Sequence, residues 1–120
     1  MIDLMIGGKE YHLKMTTRTA LELEKKLGGV NPIKALTDES LSSQMLIFCY
    51  AFKKYHPELT YEDVLDLHDE YIEEGHDMID FQLLLVDIFK DSGVMGNIDL
   101  EGAMNDPNAF MRAKLSHSKK

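Results

Sequence analysis

The first fifteen residues alternate apolar and polar side chains in two short runs that flank the sequence GGKE. A period of two on both sides of a glycine turn predicts a β-hairpin with one buried face. The apolar positions of the two runs are Ile2, Leu4 and Ile6, then Tyr11, Leu13 and Met15.

The period then changes to three and four residues, which is typical of amphipathic helices. A first helix is predicted to start at Thr16 or Thr17, either of which can cap it, and to end at the glycine pair that begins with Gly28. The following NPIKAL predicts a short second helix to about Leu36, with Asn31 as N-cap and a proline at the first helical position. The apolar side of the first helix is formed by Ala20, Leu21, Leu23 and Leu27.

The third predicted helix, residues 41–55, is mostly apolar. We expect it at the centre of the fold, with Phe48 and Phe52 buried. The single cysteine, Cys49, lies in this helix, and its apolar neighbours favour a small buried side chain over a nucleophile. The apolar stripe consists of Leu41, Met45, Phe48, Cys49, Phe52 and Tyr55, widened by Leu46, Ile47 and Tyr50.

Two more helices are predicted before residue 94. Thr60 followed by Asp63 is typical of a capped start, so the fourth helix begins there and ends at Gly75. The fifth begins near Asp77 and ends at Gly93. The expected inward side chains are Val64, Leu65, Leu67, His68, Tyr71 and Ile72 in the fourth helix and Met78, Phe81, Leu84, Leu85, Ile88 and Phe89 in the fifth.

The predicted fold is therefore α+β, with an N-terminal β-hairpin and a bundle of about five helices in residues 1–93. Residues 94–120 show no sustained period and mix glycine, asparagine and proline with isolated apolar side chains. We expect them to form a flexible C-terminal tail, or a segment that orders on a partner. The candidate partner-binding side chains of this tail are Met95, Met104, Phe110, Met111 and Leu115.

Composition and charge narrow the classes of function. A chain of 120 residues with 44% hydrophobic and 28% charged residues suits one globular domain, and it contains no long apolar run or basic leader, so we expect a cytoplasmic protein without a membrane partner. The formal net charge is −8, and residues 58–80 contain ten acidic residues without Lys or Arg. Such a region repels phosphate, which argues against nucleic-acid binding.

The last nine residues, RAKLSHSKK, are basic. We interpret the charges mainly as solvated helix faces and a frayed terminus. An acidic body with a basic end also offers a way for copies to meet head to tail, and because exposed ion pairs contribute little, we expect self-association to be weak.

Candidate chemistry is sparse along the chain. Glu73 and His76 have the spacing of helical metal ligands, but Gly75 interrupts the helix between them and no second copy of the motif exists, so a solvated acidic face is favoured. The glycine pairs lack the spacing of a phosphate-binding loop, and no serine lies in a nucleophile elbow. We therefore expect a protein that is not an enzyme and needs no cofactor.

The order of these features resembles the tail assembly chaperones of long-tailed phages and prophages. The segments that carry the resemblance are MTTRTALELEKKLGG, NPIKAL, KKYHPELTYEDVLDLHDEY and GHDMIDFQLLLVDIFKDSG, after the hairpin. They cover most of residues 2–93, and because they are structural segments they imply no catalytic residue.

The resemblance implies a protein that binds the tape measure protein, keeps it soluble and helps the tail tube polymerise around it. It further implies action in the host bacterial cytoplasm, contact with the tail tube protein and absence from the mature virion. Two alternatives remain: a small regulatory or adaptor protein that binds one partner helix, and a fragment of an enzyme.

Overall fold

The computed structural model describes residues 1–38 and 40–93 and has the α+β fold that the pattern predicts. An antiparallel β-hairpin precedes five helices in this part of the chain. The elements are β1 (Ile2–Ile6), β2 (Lys9–Leu13), α1 (Thr17–Lys26), α2 (Pro32–Thr37), α3 (Leu41–Ala51), α4 (Tyr61–Glu73) and α5 (Met78–Ser92).

The hairpin is closed by a two-residue turn. Ile6 pairs with Lys9 across the turn, and φ is 60° at Gly7 and 77° at Gly8. A type I′ turn needs positive φ at both central residues, and its twist matches that of the strands it joins, which explains why two glycines stand here. The alternating apolar side chains consequently share the face that lies on the helices.

Polar side chains set the helix starts. Thr16 is the N-cap of α1, because its Oγ1 accepts a hydrogen bond from the Thr19 N–H at 3.1 Å, and this decides between the two threonines. Asn31 caps α2 as predicted. Complete capping boxes start α4 at Thr60 and α5 at Asp77.

The central helix of the fold is α3, which packs against α1, α2, α4 and α5. Phe48 and Phe52 are 0% and 1% exposed, and the burial predicted for both is confirmed. Phe48 meets Phe52 and Phe81 edge to face, with ring centroids 4.9 and 5.1 Å apart. A single apolar core joins the hairpin to all five helices.

His68 is a polar side chain inside this core, in the inward position that its spacing predicts. Its ring centroid lies 4.4 Å from that of Phe81 and 6.3 Å from that of Phe48. Burial lowers the pKa of the His68 imidazole, so the ring is neutral at pH 7. Its Nε2 has no hydrogen-bond partner among the described residues.

The third helix is four residues shorter than predicted, because it ends at Ala51 and not at residue 55. The Ala51 carbonyl accepts the Lys14 N–H at 2.9 Å, whereas in a continuing helix it would accept the N–H of Tyr55. The next residues form turns, in which Phe52 N–H donates to Cys49 and Lys53 N–H to Tyr50. Contact with the hairpin therefore replaces the last helical turn.

Four side chains predicted to lie inward are exposed: Leu21, Leu41, Tyr55 and Met78. Leu41 and Met78 are the first residues of their helices, where the chain is still at the surface, and Tyr55 lies beyond the end of α3. Leu21 is two residues from both buried positions of α1, which turns it to the opposite side of the helix.

Within residues 1–38 and 40–93 no helix has the length and apolar character required to cross a bilayer.

Candidate partner-binding site

An open groove of about 450 Å³ lies between the end of α1, the outer side of α3 and the segment that leads into α4. Leu46 and Tyr50 come from successive turns of α3, and Leu59 and Tyr61 face them from the start of α4. Leu46, Tyr50 and Leu59 are half-buried, and Tyr61 is exposed. The groove therefore presents apolar and aromatic surface to solvent.

The rim of the groove is basic. Lys26 and Lys53 line it, and the Lys53 ammonium lies 4.8 Å from the centroid of the Tyr50 ring. Arg18 and Lys54 border a neighbouring depression that shares Lys53 with the groove and has Glu22 as its one acidic lining residue. In a chain of net charge −8, these cations form a local surface that favours acidic side chains of a partner.

Cys49 contributes to the floor of the groove and is buried, as its apolar neighbours predict. Burial raises the pKa of the Cys49 thiol, with Lys53 acting weakly in the other direction. Burial also raises the pKa of the Tyr50 phenol. Both groups are consequently neutral at pH 7, which suits a surface for contact better than a nucleophilic site.

A second group of polar side chains lies on the solvent-facing side of the hairpin. Ligand atoms of Asp3, Glu10 and His12 all lie within 4.8 Å of one another, and no other group of three or more potential metal ligands occurs within residues 1–38 and 40–93. The His12 Nδ1 is 2.8 Å from Asp3 Oδ1, and all three side chains reach solvent. A hydrogen bond between histidine and carboxylate accounts for this approach.

Sequence spacing alone did not reveal this group, since Asp3 and His12 are nine positions apart and come together only through the strand register. Glu73 and His76, whose spacing is that of helical metal ligands, are placed differently. His76 stacks on Tyr71 with ring centroids 4.0 Å apart, and its Nδ1 is 3.9 Å from Asp80 Oδ2. Glu73 belongs to no group of three potential ligands in the described part of the chain.

The sequence pattern does not identify the side chains of the groove as a binding site. In the sequence, Leu46 and Tyr50 widen the apolar stripe of α3 beyond one face, and this excess of apolar side chains is the signal that could have indicated the groove. The candidate residues of the tail, Met95, Met104, Phe110, Met111 and Leu115, lie outside the described residues.

Comparison of the chain with protein-family models, with curated proteins and with solved structures finds no match in any of the three.

Proposed function

We propose that this protein is a tail assembly chaperone of a long-tailed phage or prophage. It binds the tape measure protein in the host bacterial cytoplasm, keeps it soluble while the tail tube protein polymerises around it, and is absent from the mature virion. The observation that supports this proposal is the order of the elements, a hairpin followed by two short helices, an apolar central helix and two capped helices. The segments that carry the resemblance follow one another in the same order.

The groove suits a helical partner. An amphipathic helix places apolar side chains from successive turns on one face, and such a face can cover Leu46, Tyr50 and Leu59 together. Acidic residues beside that stripe would meet Lys26 and Lys53 at the rim. The protein thus acts by covering apolar surface of the tape measure protein, without catalysis.

The acidic side of the molecule serves solubility. The exposed carboxylates of α4 and of the start of α5 belong to residues 58–80, which contain ten acidic residues. A surface of one sign keeps a complex with an aggregation-prone partner dispersed, because bound copies repel one another weakly at a distance.

The proposal is tested by co-expression of the full chain with the tape measure protein, followed by measurement of the soluble and co-purified fractions. We expect Leu59→Asp and Lys53→Glu each to weaken capture by about tenfold, which corresponds to ~1.4 kcal/mol. Ile79→Asp and Lys34→Glu are matched controls, because both side chains are exposed outside the groove. Equal capture by all four variants would place the binding surface elsewhere.

The same experiment separates the proposal from its main alternative. A chaperone of this class is expected to be encoded directly before the tape measure gene and to solubilise that protein. A protein that leaves the tape measure protein insoluble but binds another helical partner through the same groove is a regulatory or adaptor protein. The contribution of the tail remains a prediction, and Phe110→Asp in the full chain measures it.

A further inference from the structure

The outer side of α5 exposes two large apolar side chains one helical turn apart. Ile79 is 66% exposed and Leu83 is 44% exposed, and neither belongs to the apolar core. Residues four positions apart lie on the same face of a helix, about 6 Å apart along its axis, so the two side chains form one continuous apolar strip. Single apolar side chains at a surface are ordinary, whereas a pair aligned along a helix offers a surface for contact with another molecule.

Acidic side chains flank this apolar strip. Asp80 precedes Leu83 by three residues and Asp87 follows it by four, so both lie beside the strip, and both are exposed. The Asp80 carboxylate also accepts the Asp77 N–H at 3.0 Å, which fixes its position at the start of the helix. We call Ile79, Asp80, Leu83 and Asp87 the α5 stripe.

The groove beside α3 has the complementary features. Leu46 and Tyr50 are also one helical turn apart and form a ridge of the same spacing. Lys26 and Lys53 lie at the rim, and no ion pair within residues 1–38 and 40–93 includes either ammonium group. No residue of α5 lines the groove, so the groove and the α5 stripe are separate surfaces of one chain.

We propose that the groove of one copy of this protein binds the α5 stripe of a second copy. Ile79 and Leu83 then lie along the ridge of Leu46 and Tyr50, because rows of side chains four residues apart interdigitate when two helices pack. The two carboxylates of the stripe meet the two ammonium groups of the rim. Apolar surface that each copy exposes alone is thereby removed from water.

Charge favours this contact over a symmetric one. Two α5 stripes placed face to face would oppose carboxylates to carboxylates, and two grooves would oppose ammonium groups to ammonium groups. A contact between two different surfaces leaves one groove and one stripe free at the ends, so it continues into assemblies larger than a dimer. The net charge of −8 on every copy opposes association at a distance, which makes the contact weak.

The self-association does not depend on the proposed chaperone function. It rests on the described residues of the groove and of α5 alone. Only one further step, displacement of the neighbouring copy from the groove by the tape measure protein, rests on that function.

Sedimentation velocity of the full chain tests the contact, and we expect the average mass to rise with protein concentration. Ile79→Lys places a cation opposite the basic rim and Lys53→Glu places a carboxylate opposite the acidic stripe, so each should weaken self-association at least ~10-fold. Met5→Lys and Lys34→Glu are matched controls, because they make the same charge changes at exposed positions outside both surfaces. Both controls should associate like the parent protein.

A mixture of the two interface variants gives the sharper test. Ile79→Lys retains an intact groove and Lys53→Glu retains an intact stripe, so an equimolar mixture can form one contact of the proposed kind and no second one. We therefore expect the mixture to form a dimer of one copy of each variant and nothing larger, whereas each variant alone stays monomeric.

Several results would overturn the proposal. A parent protein that stays monomeric at every concentration would do so, as would a mixture that stays monomeric or that assembles as far as the parent protein. Equal weakening by the control variants would assign the effect to net charge and not to the two surfaces. Because these measurements contain no tape measure protein, their failure leaves the chaperone proposal standing, and a failure of capture in co-expression leaves the self-association standing.

Discussion

The two strands of the hairpin have the same length and nearly the same alternation, yet they are held in very different surroundings. The outer edge of β2 is occupied by the end of α3, through the Ala51 carbonyl and His56. On the side of β1, the Gly7 N–H at the turn donates to Glu74 Oε1, and within residues 1–38 and 40–93 no hydrogen bond reaches the backbone of Asp3 or Met5, although β1 lies near α4 and α5. The comparison shows that alternation decides which face of a strand is buried, whereas the neighbouring elements decide which edge is closed.

This difference has a structural cost and a structural benefit on the β2 side. The helical bond that Ala51 would accept is given up, and α3 ends one turn early. In return, Phe52 is placed under Tyr11, with ring centroids 5.7 Å apart at an interplanar angle of 81°.

Replacement of the aromatic side chain beneath β2 should have the largest effect. Phe52→Ala is expected to lower the free energy of unfolding by about 3–5 kcal/mol, because it leaves a cavity between Tyr11 and Phe48. Urea unfolding followed by circular dichroism measures the change. A loss below about 1 kcal/mol would contradict the buried position of Phe52.

The two strands should respond unequally to the same truncation. Leu13→Ala removes a fully buried side chain from β2 and should cost about 3 kcal/mol, whereas Leu4→Ala removes a half-buried one from β1 and should cost about 1–2 kcal/mol. Paired urea titrations of the two variants give the difference. Equal losses would show that the face of β1 is covered as well as that of β2.

The contact of His56 with the edge of β2 can be removed separately. His56→Ala leaves the partly buried His12 N–H without its acceptor and should lower the free energy of unfolding by about 1–2 kcal/mol. His76→Ala, at an exposed position, is the control and should cost less. Faster exchange of the His12 amide in the first variant alone would locate the effect at this edge.

Alanine substitutions of the two glycines in the turn between the strands should differ in their effect on stability. Both have positive φ, so alanine is strained at either position by about 1 kcal/mol. At Gly7 a Cβ would also lie 2.0 Å from Glu70 Oε2, whereas at Gly8 it would meet nothing within 4 Å. We therefore expect Gly7→Ala to have a lower melting temperature than Gly8→Ala in thermal unfolding. Equal stability of the two variants would mean that the flexible Glu70 side chain moves aside freely.

The smallest effect is expected at Asp91 in α5, which pairs with the ammonium groups of Met1 and Lys14, the residues just before β1 and just after β2. Asp91→Asn should cost about 0.5–1 kcal/mol, as for partly exposed ion pairs, and less at high salt. The hydrogen bond from the N-terminal ammonium, aided by Lys14, holds the pKa of Asp91 below its usual value.

The sign of the pH dependence follows from this lowered pKa. A carboxyl group that is more acidic in the folded state contributes stability above its unfolded pKa, and that contribution is lost as the pH falls through its folded pKa. We expect the free energy of unfolding, measured by urea titration at pH values from 7 to 2, to fall less for Asp91→Asn than for the parent protein as the pH is lowered. An identical pH dependence of stability in both proteins would show that the ion pairs of Asp91 do not stabilise the fold.

Much of the fold could be predicted because its signals are local. The glycine pair at the turn, the caps at Asn31, Thr60 and Asp77 and the spacing of apolar residues each act within a few residues. The end of α3 was predicted wrongly because the competing donor to the Ala51 carbonyl, the Lys14 N–H, is 37 positions away in sequence. The groove escaped prediction for the same reason, since Leu46 and Leu59 meet only when α3 and the segment before α4 are packed.

The α+β class, the starts of the helices and most of the buried positions follow from local sequence, because periodicity and capping depend on neighbours along the chain. Tertiary packing is what brings His56 and the Ala51 carbonyl to the edge of β2, Asp3 to His12, and basic side chains to the rim of an apolar groove. Backbone hydrogen bonds at a strand edge and contacts between helices are made with residues far away in sequence. Their partners therefore depend on how the elements pack and not on any local pattern.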